Sequence, residues 1–96
     1  MTVSHEITIK IPTPLRAFTD NQKTVAVKGT NVGEALLALV NTYPKLKKHL
    51  YNETGELRNY VNIYLNDEDI RYLGKEDSVL QNGDVLSIIP SIAGGR

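Results

Sequence analysis

Helical spacing of apolar residues occurs along one stretch of this chain, and that limits the fold sharply. Val32, Ala35, Leu36, Leu39, Val40 and Tyr43 fall at i, i+3, i+4, i+7, i+8 and i+11, an apolar stripe on a helix of about three turns. Thr30 is the expected N-cap, and Glu34 in the first turn favours the helix dipole. Pro44 stops the helix and can begin a short second turn, with Leu46 and Leu50 pointing inward. The main apolar pattern on either side has period two. Ile7, Ile9 and Ile11 alternate with Glu6, Thr8 and Lys10, and Val25 and Val27 mark a second strand over Lys23–Lys28.

Asp20-Asn21 reads as a turn in the link between these strands, where Leu15 and Phe18 tuck under the sheet edge. After the helix, Tyr51 to Asn59 reads as an exposed polar loop. Tyr60 to Leu65 is a strand, with Val61, Ile63 and Leu65 on one face and Tyr60, Asn62 and Tyr64 on the other. Asn66 to Asp69 reads as a turn, Ile70 to Tyr72 as a short strand, and Val79-Leu80 as part of one helical turn. Asn82-Gly83 in Gln81 to Asp84 is a strong turn signal, because Asn and Gly tolerate positive φ. The last strand, Val85 to Ile89, carries one polar residue, Ser87, and is expected at the sheet centre with both faces covered. The order β-β-α-β-β-β fits an α+β fold with one helix across a sheet.

Ninety-six residues suit one domain. Eleven basic and eleven acidic side chains cancel, which argues against nucleic acid or a polybasic membrane contact as the main partnership. No cysteine is present, so disulfides, thiolate catalysis and cysteine-ligated zinc are excluded. The longest apolar run, Ala35 to Val40, is far too short to span a bilayer, and the polar start carries no signal-peptide core. A cytoplasmic location is therefore expected, where the sequon Asn52-Glu53-Thr54 has no meaning.

Few residues offer site chemistry of their own. His5 and His49 are far apart and make no ligand pattern, and no Ser-His-Asp spacing occurs. Gly29 to Gly33 lacks the Gly-Lys-Ser/Thr ending of a phosphate loop, so helix capping explains it better. Asp67-Glu68-Asp69 reads as a solvated turn rather than a cation site, since neighbouring side chains diverge. Lys45, Lys47, Lys48 and His49 form a small basic cluster, read as a solvated face that could also meet an acidic partner.

The end of the chain is different. Pro90-Ser91-Ile92-Ala93-Gly94-Gly95-Arg96 follows directly on the last strand. A glycine pair adds nothing to a core, but it can lie extended in a channel too narrow for side chains. Residues 91–96 are therefore expected to be a flexible tail on a domain of residues 1–90.

The element order with this Gly-Gly end resembles the β-grasp of ubiquitin-like proteins, and most closely the prokaryotic sulfur carriers. These include the small subunit of molybdopterin synthase, the thiamine-pathway sulfur carrier, and the carrier that feeds an O-phosphoserine-dependent cysteine synthase. The resemblance to the cysteine-pathway branch is carried by Ile9 to Arg16, Val61 to Arg71, Asn82-Gly83-Asp84 and Ile89 to Gly95. It implies a mixed sheet of four to five strands with one main helix packed across it. It also implies that the chain is not an enzyme but a protein co-substrate. An E1-like enzyme would adenylate the terminal carboxylate with ATP, and a sulfur donor would then leave Gly95 as a thiocarboxylate. That sulfur would attack an electrophilic carbon held by a pyridoxal phosphate-dependent cysteine synthase.

Within this picture Gly94 gives clearance in the partner's channel, Ile92 and Ala93 dock the tail, and no metal or cofactor sits on the chain itself. Tyr64, Ile92 and the exposed face of the last strand are the candidate docking surface. Arg96 departs from the family pattern, which usually ends at the second glycine. It locks the Gly95 carboxylate in a peptide bond and implies removal by a processing protease or carboxypeptidase. Three alternatives stay open: a carrier for molybdopterin or thiamine, a modifier joined to lysines, and an interaction module with an inert tail.

Overall fold

The computed structural model describes residues 5–90. The first strand, β1 (His5–Lys10), puts Ile7 and Ile9 inside. A 3-10 turn over Thr13–Phe18 buries Leu15. Asp20 and Asn21 then reverse the chain at φ 55° and 63°, a region that Asp and Asn enter more readily than most residues. The second strand, β2 (Thr24–Gly29), lies one residue later than expected and includes Gly29. It pairs antiparallel with β1 from His5↔Gly29 to Lys10↔Thr24.

Helix α1 (Val32–Thr42) buries Val32, Ala35, Leu36, Leu39 and Val40. Its N-cap is Asn31, not Thr30: Asn31 Oδ1 accepts from the Glu34 N–H at 2.8 Å. Thr30 stands one residue outside the cap and donates both its N–H (2.8 Å) and its hydroxyl (2.6 Å) to Glu34 Oε1. The arrangement is a capping box shifted by one residue. After a 3-10 turn at Pro44–Leu46, α2 (Lys47–Leu50) buries Leu50, and Leu46 is buried beside it. The loop that follows is less open than expected: Tyr51 bridges Leu57, and Leu57 packs on the core.

The third strand, β3 (Val61–Leu65), joins β4 (Glu68–Asp69) through Asn66-Asp67, with Asn66 at φ 59°. Glu68 and Asp69 are thus a short strand rather than part of a turn. Ile70–Tyr72 is a 3-10 turn and not a strand, since the Asp69 carboxylate takes the Arg71 N–H that would extend the ladder. The next helical turn is Lys75–Asp77, and Val79 instead bridges Asn31 beside α1. The final strand, β5 (Val85–Pro90), ends the described chain.

These strands form one sheet in the order β2-β1-β5-β3-β4. The central pair β1–β5 is parallel and the others are antiparallel, so the sheet is mixed. A parallel central pair needs a long crossover, and α1 lies within it. Ile7, Ile9, Val25, Val27, Ile63, Leu86 and Ile88 meet α1 in one hydrophobic cluster. Strand β5 is central as expected, but among the described residues only one of its faces is fully covered. Leu86 and Ile88 are buried, Val85 and Ser87 are half-buried, and Ile89 is 47% exposed. Among the described residues, no helix is long and apolar enough to cross a membrane.

Candidate functional site: the open sheet face and the tail it leads to

The face of the sheet away from α1 is set by alternation along each strand. Because Leu86 and Ile88 point to the core, Val85, Ser87 and Ile89 of β5 point outward. On β3, Asn62 and Tyr64 share that side, and Thr8 and Lys10 of β1 join them. Register aligns these residues across strands: Lys10 opposite Ser87, Ser87 opposite Tyr64, and Ile89 opposite Asn62. The surface combines an exposed apolar residue, Ile89, with a half-buried tyrosine, small polar groups and the exposed Lys10 on β1. Such a mixed apolar and polar surface can dock a protein.

Of the docking candidates, Tyr64 and the exposed face of β5 are therefore brought together on this surface. The remaining predicted site residues, Ile92, Ala93, Gly94, Gly95 and Arg96, lie outside the described residues. They follow Pro90, which pairs with Val61 at the end of the β3–β5 ladder.

At the other end of β5 two sequence marks meet. Asn66 donates its N–H to the Val85 carbonyl at 2.7 Å, and its Oδ1 accepts from the Val85 N–H at 3.1 Å. Its Nδ2 reaches Asp84 Oδ1 at 3.3 Å. Asp84 also closes its own turn, since its Oδ2 accepts from the Gln81 N–H at 2.8 Å. Asn82 Oδ1 accepts from the Glu6 N–H at 2.9 Å, and Gly83, at φ 91°, donates to the Glu6 carbonyl at 2.9 Å. The Asn-Asp-Glu-Asp and Asn-Gly-Asp segments thus clasp β5 to β1 and β3. They fix the register of β5, whose last described residue, Pro90, pairs with Val61.

Asp69 is not a solvated carboxylate. Its residue is 8% exposed, and it is held bidentately by Arg71, with Nη2–Oδ2 at 2.6 Å and Nε within 3.2 Å of both oxygens. Hydrogen bonds from the Arg71 side chain, then from its N–H, keep the Asp69 carboxyl below its ordinary range, and the side-chain bond to Asp69, then its charge, raises the guanidinium. Glu34 is lowered likewise, first by the Thr30 hydroxyl and then by the Thr30 N–H. Both groups are structural braces. Among the described residues no cluster of acidic and histidine side chains could hold a metal.

His49 also departs from the expected solvated basic face. Its ring stacks on Phe18, with centroids 4.3 Å apart, and its Nε2 is buried without a hydrogen-bond partner. The three lysines beside it are exposed.

Residues 9–95 match the ThiS family. The chain belongs to the ThiS family. It is 37% identical over 91 residues to the sulfur carrier protein CysO of Mycobacterium tuberculosis, covering 93% of this chain and 98% of that protein. CysO in the Amycolatopsis orientalis BexX/CysO complex superposes with a TM-score of 0.84 at 37% identity, covering 93% of this chain and 99% of the other. The small archaeal modifier protein SAMP1 of Methanosarcina acetivorans superposes with a TM-score of 0.85 at 28% identity, covering 98% and 100%. The β-grasp expectation holds, with five strands and one long helix. These family members are named as carriers and modifiers, in line with a protein that is handled by enzymes rather than being one.

Proposed function

We propose that this chain is a sulfur carrier that uses residues 1–90 as a docking head and residues 91–96 as the delivery tail. The observation that carries the reading is the reach of the family match. It spans nearly the whole chain, includes Gly94-Gly95, and stops one residue short of Arg96.

The chemistry follows from the state of the end. While Arg96 is present, the Gly95 carbonyl is an amide and offers no oxygen for adenylation. Hydrolysis of the Gly95–Arg96 bond by a processing protease releases arginine and a carboxylate that is ionised at neutral pH. That carboxylate attacks the α-phosphorus of ATP in an E1-like partner, and pyrophosphate leaves. A sulfide-equivalent donor attacks the acyl carbon, AMP leaves, and Gly95 becomes a thiocarboxylate. Its sulfur then attacks an electrophilic carbon in an acceptor. The near-full-length likeness to CysO favours an acceptor in cysteine synthesis, and we infer that this acceptor is a pyridoxal phosphate enzyme. Ordering the tail costs about 1–2 kcal/mol per backbone residue, so the head must supply compensating contacts. We assign those contacts to the open face around Tyr64, Ser87 and Ile89, and to Ile92 and Ala93 of the tail. CysO in complex with BexX supports a head that docks on a second protein.

Intact mass after incubation with the cognate adenylating enzyme, ATP and sulfide tests this. A chain ending at Gly95 gains about sixteen daltons as OH becomes SH, because only a free carboxylate can be activated. The chain ending at Arg96 gains nothing. A gain on the untrimmed chain, or none on the trimmed one, refutes the proposal.

A second reading has its own support. The structural likeness to a small archaeal modifier protein favours attachment of the trimmed end to lysine side chains. Gly-Gly remnants on lysine peptides from native cells would favour it over soluble thiocarboxylate.

A further inference from the structure

The chain is neutral overall, yet its charges are not evenly spread. Burial of Leu46 and Leu50 fixes the phase of the Pro44–Leu50 segment. The same phase puts Lys45, Lys47 and Lys48 in solvent, while His49 turns inward onto Phe18. Arg58 completes the set. Its N–H donates to the Leu50 carbonyl at 2.8 Å and its Nε to the Lys48 carbonyl at 2.8 Å, so the guanidinium is pinned against the end of α2. These four cations line a groove of about 530 Å³ together with Tyr51 and Pro44. One carboxylate, Glu53, belongs to its wall.

The groove sits beside the place where the tail begins. Arg58 accepts the Val61 N–H on its carbonyl at 3.0 Å, and Val61 pairs with Pro90. A protein that takes residues 91–96 into a channel therefore brings the rim of that channel next to Arg58 and α2. We propose that this groove docks an acidic, extended segment of the tail-receiving protein, its carboxylates against Lys45, Lys47, Lys48 and Arg58 and one apolar side chain against Tyr51 and Pro44. The partner's being a tail receiver rests on the carrier reading; the preference for acidic polypeptide rests on the groove alone. Exposed ammonium groups work as a set, steering association in a salt-sensitive way, with a screening length of ~10 Å at 0.1 M salt.

The test is a titration of the ¹⁵N-labelled full chain with a synthetic Glu-Glu-Leu-Glu-Glu peptide, followed by amide shifts. An oligonucleotide of equal charge is titrated in parallel. Shifts clustered over residues 45–58 are expected. They should fade as NaCl rises from about 50 to about 300 mM, and affinity should fall about tenfold in the Lys47→Glu/Lys48→Glu chain. Both lysines are exposed, so the double variant keeps its fold, which the unshifted amides of β1 and β5 verify. No shifts, shifts shared equally with Lys10, Lys23 and Lys28, or an unchanged affinity in the double variant overturns the proposal. Tighter binding of the oligonucleotide in the same groove overturns it as well. No adenylation or sulfur transfer enters this measurement, so its failure leaves the carrier reading untouched, and failure of that reading leaves the groove's preference to stand or fall alone.

Discussion

Glu34 and Asp69 show how a carboxylate serves as a brace once its donors are fixed. Each carboxylate accepts bonds that only its ionised form takes fully: Glu34 from Thr30, Asp69 from Arg71. Each is held below its ordinary value, 4.5 for Glu34 and 3.8 for Asp69, by those hydrogen bonds. A lowered folded-state value means that the unfolded chain takes up protons first as the pH falls. The stabilisation is therefore complete above the ordinary values and is lost as the pH drops below them, through the lowered folded-state range. Urea midpoints of the parent should fall between pH 6 and acid conditions more steeply than those of a Glu34→Gln/Asp69→Asn chain. Parallel acid limbs for the two chains would show that neither carboxylate braces the fold. His49 makes the complementary point. A histidine among lysines reads as part of a solvated face, but its ring stacks on Phe18 and its Nε2 is buried without a hydrogen-bond partner.

Among the elements, α1 and the strands around it were the most legible, because period and burial agree there: every residue of the expected stripe from Val32 to Val40 is buried. What sequence reasoning missed lies where a local hydrogen bond competes with the pattern. Asn31 and Thr30 both suit an N-cap, and the choice fell to Asn31 because Thr30 was needed outside to hold Glu34. Ile70-Arg71-Tyr72 alternates in the manner of a strand, yet the Asp69 carboxylate bends it into a 3-10 turn. The role of Asn66 was legible only as a turn residue. Its clasp on Val85 and Asp84 spans 18 to 19 positions, a separation that no local signal carries. Gly29 is a related case, since its need is steric rather than conformational. A Cβ there would lie 2.9 Å from the Ala35 backbone nitrogen and 3.2 Å from Glu34 Cβ. Gly29→Ala must therefore push α1 away from β2, and it should cost about 1–3 kcal/mol. A thermal melt within a degree of the parent would mean that the helix is free to shift.

For the whole molecule the decisive asymmetry is between the two faces of the sheet. One face is filled by α1 and its leucines; the other leaves Ile89 exposed and Tyr64 and Ser87 half-buried. The pattern of β5 suggested cover on both sides, and a face left open on a central strand is where a partner's surface can take the place of a second layer. Stability and docking should then separate by face. Ile89 is 47% exposed, so Ile89→Asp should cost about 1–2 kcal/mol of folding stability, less than a core truncation. Placed at the middle of a docking surface, the same carboxylate would be desolvated without a partner. Thiocarboxylate formation on the trimmed chain should therefore need about tenfold more carrier, equivalent to about 1.4 kcal/mol of lost binding. The reaction at saturating carrier should be unchanged, since the acyl end is intact. Leu36→Ala, on the buried face, should do the reverse: it should cost about 2–5 kcal/mol of folding stability and leave the carrier requirement of the folded fraction unaltered. Equal carrier requirements for the parent and Ile89→Asp chains would move the docking surface off this face.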